Sequence, residues 1–278
     1  MLQKALTKEL TVFLLCKNGG KEALQKTLDC LDRQHYRNFD LVVIDRGMEE
    51  EQLSAALKHG SHILELKGQN WKTGAVLNRA CEISGPFSLF LCEGTVLQGE
   101  RWLENFMKRL SGNNEPYIFI LPEIPSHEKR SRREFFQRYR TLYTSCCAAG
   151  IRKKTFLYNR FDERLEYFHF HLWHKKLNQK SPAPAETQYL RLYTEFFDNP
   201  GSFYEYKKKE YAEYLRMLIT APPAGKTALL NYFVKLAGFI SELFRYAFKG
   251  ILNPLDLISL APYVFIEEVL FKKDKRLI

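Results

Sequence analysis

An α/β fold built on a mostly parallel sheet is predicted by three features of the first half of the chain. Apolar runs of strand length recur, amphipathic stretches at helical spacing separate them, and the connections are short and polar. Strands that are apolar at successive positions are buried on both faces, so helices must cover the sheet above and below.

Leu10 to Cys16 is the first such run. After Lys17-Asn18-Gly19-Gly20, the residues Ala23, Leu24, Leu28 and Leu31 mark one face of a helix, and Phe39 to Ile44 follows as a second buried strand. Strand, helix and strand with short links imply a right-handed parallel pair. A helix is expected over Glu49 to Lys58, a short strand at His62 to Leu66, a third helix over Trp71 to Ile83 and a strand at Phe87 to Leu91. Trp102, Leu103, Phe106 and Leu110 share one face of a fourth helix, and Pro116 to Leu121 reads as a strand bounded by prolines. Residues 1–185 are assigned to this α/β domain and 186–278 to a helical region rich in tyrosine and phenylalanine.

The chain has 278 residues and a formal net charge of +10, which favours anionic partners: phosphorylated ligands, membrane surfaces or nucleic acid. Nucleic acid is the poorest fit. The basic stretch His127 to Arg140 comes with no zinc-finger, RRM or helix-turn-helix pattern and reads as a solvated loop. Six cysteines show no CxxC spacing and sit mostly within apolar runs, which points to a reducing compartment and to no structural zinc. Glu9 precedes a short apolar run with no cleavage-site pattern, so a cytoplasmic location is expected.

Near the C-terminus, Leu229, Phe233, Leu236, Ile240, Leu243 and Phe244 recur at three- and four-residue steps, with Lys226, Lys235, Arg245 and Lys249 beside them. Such a basic amphipathic helix suits the inner face of the cell membrane. Pro254, Asp256, Pro262, Glu267 and Glu268 argue against a spanning helix further on. Peripheral membrane contact through 226–271 and ordinary packing both satisfy this pattern.

Several segments occur together in a telling order. Lys17-Asn18 ends the first strand, Leu31-Asp32-Arg33-Gln34-His35-Tyr36-Arg37-Asn38-Phe39 leads into the second, and Ile44-Asp45-Arg46-Gly47 ends it. Asn70-Trp71-Lys72-Thr73-Gly74 runs on to Asn78 and Ala80, Gly150-Ile151-Arg152-Lys153-Lys154 follows, and then Phe161-Asp162-Glu163-Arg164-Leu165. In this order they resemble the family 2 glycosyltransferases of the GT-A fold over roughly the first two thirds of the chain. The resemblance implies transfer of a sugar from a nucleotide-sugar donor to a glycan, lipid-linked or cell-surface polymer acceptor. It places Asn18, Asp45, Arg46, Asn70, Lys72, Asn78 and Glu93 on the donor side, and Arg152 and His171 on the acceptor side.

Two departures fall on the chemistry. The family carries Asp-x-Asp where this chain has Cys92-Glu93-Gly94-Thr95, and a Glu-Asp base motif where it has Phe168-His169-Phe170-His171. Glu93 alone would have to hold Mg2+ or Mn2+ together with donor phosphates, or be a solvated turn residue. Asp45 reads either as an acceptor for donor NH or ribose hydroxyl groups or as a turn aspartate. If no metal binds, Lys17, Arg46, Lys72, Arg79 and Arg152 are the cations available to offset a leaving diphosphate.

His169 stands where the resemblance puts the general base, and a neutral imidazole can accept a hydroxyl proton at physiological pH. The spacing of His169, His171 and His174 does not bring all three to one face, which argues against a histidine metal site. Two functions therefore stand: a glycosyltransferase with altered metal and base motifs, or an inactive GT-A-like subunit that binds a partner or membrane.

Overall fold

A computed structural model describes residues 6–16, 20–66, 71–112 and 148–166, the backbone of 117–120 and 192–194, and Trp173, Leu177 and Lys209. The chain separates into two compact units. One comprises Met1–Glu123, Tyr143–Leu165 and His169–Asn199, the other Ile124–Leu142, Glu166–Phe168 and Pro200–Ile278. The strands and helices named below all belong to the first.

Six strands form its main sheet, in the spatial order β3 (His62–Glu65), β2 (Phe39–Asp45), β1 (Leu10–Cys16), β4 (Phe87–Cys92), β7 (Ala148–Arg152) and β6 (Tyr117–Ile120). The first four are parallel, and β7 runs against both of its neighbours. The helices α1 (Gly20–Asp32), α2 (Glu50–Lys58) and α3 (Thr73–Ile83) link the parallel strands. The expected strands and helices of this half are therefore present, with ends shifted by one or two residues. Helix α3 begins at Thr73 rather than Trp71 because Lys72 is its N-cap residue, in extended backbone.

The alternation has the expected physical basis. Leu10, Val12, Phe13 and Leu14 of β1 are wholly buried, as are Val42, Val43 and Ile44 of β2 and Leu89 and Leu91 of β4. Phe13 and Phe90 stack at 5.2 Å between ring centroids, joining β1 to β4 in the core under α3 residues Val76, Leu77 and Ala80. Helix α4 (Trp102–Gly112) buries Trp102, Leu103, Phe106 and Leu110, the face read from their spacing.

The segment Gln34 to Phe39 has a structural task. The buried Gln34 amide accepts from Leu103 N–H (3.0 Å), satisfying an orphan donor at the start of α4, and donates to Gly99 O (2.9 Å). Tyr36 donates its hydroxyl to Glu9 Oε2 (3.0 Å), just before β1, and its own pKa is pushed up to about 12 by burial and by that carboxylate.

Two features escaped the periodicity. Strand β7 inserts between β4 and β6, and its sequence Ala-Ala-Gly-Ile-Arg has little intrinsic strand preference. Packing selects it: a Cβ on Gly150 would stand 2.3 Å from the Phe106 ring, so only glycine lets β7 pass beneath α4. Helix α5 (Lys153–Tyr158) follows directly. The second is a small antiparallel pair of β5 (Thr95–Leu97) and β8 (Leu192–Thr194), which places a strand inside the region expected to be helical. The remainder of 186–278 lies outside the described residues, apart from Lys209.

Candidate functional site

The connection from β1 passes through α1 to β2 on one side, whereas β4 lies on the other side of β1 and leads away toward β6 and β7. Open α/β sheets bind ligands outside the carboxyl ends of strands at such a reversal. Three strand ends are level there, since Cys16 pairs with Asp45 and Leu15 with Cys92.

Asp45 ends β2 with only 3% of its surface exposed. Its Oδ1 accepts from the N–H groups of Gly47 (2.9 Å) and Met48 (2.7 Å), closing a turn in which Gly47 has a φ of 112°. The turn role weighed from sequence is thus realised in geometry. Glu93 follows β4, its backbone N–H donating to Leu15 O (3.2 Å), and its Oε2 is buried. Gly94, at a φ of 80°, donates to Ala23 O on α1 (3.1 Å). The segment after β4 is fixed again at Cys30, whose thiol donates to Leu97 O (3.2 Å) and accepts from Leu97 N–H (2.9 Å).

The two acids converge on one thiol. Burial pushes the Cys16 pKa far up, and the carboxylate of Glu93, then Cys92 and the carboxylate of Asp45, push it further. Asp45 and Glu93 thus close the two strands that flank β1, level with Cys16. The sequence signal for this was the common level at which three apolar runs end, which only the strand register converts into proximity.

Arg46 extends from the end of β2 to the start of α3, donating from Nη1 to Thr73 Oγ1 and from Nη2 to Trp71 O, both at 2.9 Å. Lys72 beside them is exposed. Asn78 is 1% exposed, its amide engaged by Phe161 and Glu163. Arg79 is exposed and pairs with Glu82 at 3.2 Å.

Arg152 is not brought to this edge. It pairs in register with Phe87, the first residue of β4, so the length of that strand separates it from Cys92. There its guanidinium donates to Leu110 O and Ser111 O at the end of α4 and lies 5.5 Å from the Phe87 ring centroid. Lys17, Asn18, Asn70, His169 and His171 lie outside the described residues. Among the described residues, no group of three or more His, Cys, Asp and Glu side chains is arranged to hold a metal ion. No described helix is long and apolar enough to cross a membrane.

This sheet order, with one antiparallel strand beside β4, defines a GT-A fold, and known structures share it. No protein-family model matches the sequence, and no curated protein matches it. The mannosyltransferase PcManGT from Pyrobaculum calidifontis, solved with GDP-Man and Mn2+, is similar over 98% of this chain and 89% of its own, with a TM-score of 0.64 and 12% identity. S. aureus TarS 1–349, solved with UDP, is similar over 81% of this chain and 69% of its own, with a TM-score of 0.51 and 16% identity. Glucosyl-3-phosphoglycerate synthase from Mycobacterium tuberculosis matches over 66% of this chain and 70% of its own, with a TM-score of 0.50 and 12% identity. At such identities the likeness establishes the fold.

Proposed function

We propose that the chain is a glycosyltransferase that takes a nucleotide-sugar donor and transfers its sugar to a hydroxyl acceptor on a glycan, lipid-linked sugar or cell-surface polymer. The observation that carries this reading is the GT-A strand order, with Asp45 and Glu93 at the ends of the two strands that flank β1 at the reversal. The structurally similar mannosyltransferase binds GDP-Man and TarS binds UDP, which favours a nucleotide diphosphate at this edge.

The donor side comprises Asp45, with its turn-forming Oδ1 directed to backbone, together with Asn18, Asn70 and Lys72. Arg46 acts here through the α3 start that it ties down. Two carboxylates beside a diphosphate demand compensating positive charge. The buried Oε2 of Glu93 fits the oxygen preference of Mg2+ or Mn2+, which can be held by one or two carboxylates plus substrate phosphates and would offset the charge on the leaving group. His169 is the candidate base for the acceptor hydroxyl, with His171 beside it on the acceptor side. Residues 226–271 are proposed to meet anionic lipid at the inner face of the membrane.

A panel of nucleotide-sugars, read by thermal shift with Mn2+ and with chelator, tests the reading. One nucleotide should raise the melting temperature, and its sugar should then be released or transferred. Absence of stabilisation by every donor under both conditions would overturn it. Stabilisation that requires Mn2+ assigns the ion to Glu93, and Glu93→Gln should then remove the metal dependence.

A further inference from the structure

Helix α3 grips the turn at 161–165 at two points. Asn78 donates from Nδ2 to Phe161 O (3.1 Å) and Glu163 Oε1 (2.9 Å), while its Oδ1 accepts from Phe161 N–H (2.9 Å). One helical turn earlier, Gly74 N–H donates to Leu165 O (2.8 Å), and a Cβ at Gly74 would stand 2.0 Å from Asp162 O. The beginning of the same helix is held from the other direction by Arg46, the residue after Asp45. Trp173, 1% exposed, stacks on Phe161 at 5.1 Å and donates its indole N–H to Asn159 O. Leu165 and Trp173, which bracket the segment containing His169, are thus both anchored to one platform.

We propose that Asn78 is a positioning residue, and that α3 is a strut setting the 161–165 turn at a fixed distance from the Asp45 edge. The inference rests on the glycosyltransferase reading, in which donor contacts lie at that edge and the candidate base His169 follows the turn in sequence. An asparagine amide has two N–H donors, and both are taken by the turn, so Asn78 acts on the reaction through Phe161 and Glu163 rather than on a nucleotide. A buried amide suits the task because its bonds are directional, and losing one would leave Phe161 backbone groups unsatisfied in a low-dielectric interior.

Asn78→Asp tests this, since it keeps size and an acceptor for Phe161 N–H, removes both donors and sets a carboxylate against Glu163. Adding Glu163→Gln supplies a donor to the introduced carboxylate. In Asn78→Asp, nucleotide affinity should stay within about twofold, kcat should fall at least about tenfold, and amide exchange across 161–165 should quicken at least about tenfold while 39–45 is unchanged. The double variant should recover part of both losses, since Glu163 is answered again while Phe161 O stays without its donor. Unchanged exchange at 161–165, loss of nucleotide affinity in step with kcat, or failure of Glu163→Gln to rescue would each overturn the proposal.

Glu163→Ala alters an exposed side chain, folds whatever happens to Asn78→Asp, and should quicken exchange at 161–165 by a smaller factor; no change there also counts against the strut. If the unmodified chain neither binds a nucleotide nor transfers a sugar, the glycosyltransferase reading fails instead. The exchange measurements then still decide whether Asn78 holds the turn.

Discussion

The α3 face and the carboxyl edge of the sheet treat buried polar groups in opposite ways. On the α3 face, the Asn78 amide meets backbone donors and acceptors of Phe161, and Gly74 admits the turn to a distance that any side chain would forbid. At the carboxyl edge, Asp45 and Glu93 bring two carboxylates to bear on the buried Cys16 thiol, an arrangement that concentrates negative charge. One region spends its polarity on holding the fold together, and the other gathers charge where a ligand would meet the strand ends.

The largest test of the contrast is Gly74→Ala. The added methyl would meet the Asp162 carbonyl at 2.0 Å, so backbone must move, and a loss of about 3 kcal/mol is expected in urea unfolding. A loss below about 1 kcal/mol would show that the turn yields easily and that α3 does not brace it.

Asp45→Asn probes the other region. The amide oxygen can still accept from Gly47 and Met48, so stability should change by less than about 1 kcal/mol, whereas nucleotide affinity should fall about tenfold, equivalent to about 1.4 kcal/mol. Equal affinity in titration calorimetry would confine Asp45 to its turn.

Arg152→Ala sharpens the comparison from the far edge of β4. Loss of its bonds to the α4 carbonyls should cost about 1 kcal/mol in unfolding experiments and leave nucleotide affinity unchanged. A fall in affinity would return Arg152 to the site.

A further effect lies above neutral pH. Burial is the leading cause of the raised pKa of both Cys16 and Cys81, from an ordinary value of 9.0. Below that value both folded and unfolded thiols are protonated and the full stability is present. As pH rises past it, the unfolded chain ionises first, so stability falls by up to roughly 1.4 kcal/mol per pH unit for each thiol. Cys16→Ala and Cys81→Ala should flatten the fall in urea midpoint between about pH 9 and 10.5 to a similar degree. No flattening in either variant would show that the buried thiols ionise in the folded chain as readily as in the unfolded one.

Local patterning made β1 to β4 and α1 to α4 legible, because strands buried on both faces and helices buried on one write distinct periods into the chain. It also exposed Glu93 as a lone acid in its turn. Strand β7 was illegible because its glycine serves Phe106, a partner distant in sequence. Asn78 and Phe161 were visible as separate motifs, but nothing in either shows that one grips the other. Residue order therefore determined the layers and the residue types available for chemistry. Strand register and close packing decided the rest: a second acid beside Cys16, Arg152 at the far edge, and Asn78 bound to a turn, since proximity between distant segments is a property of the folded sheet and not of any local stretch.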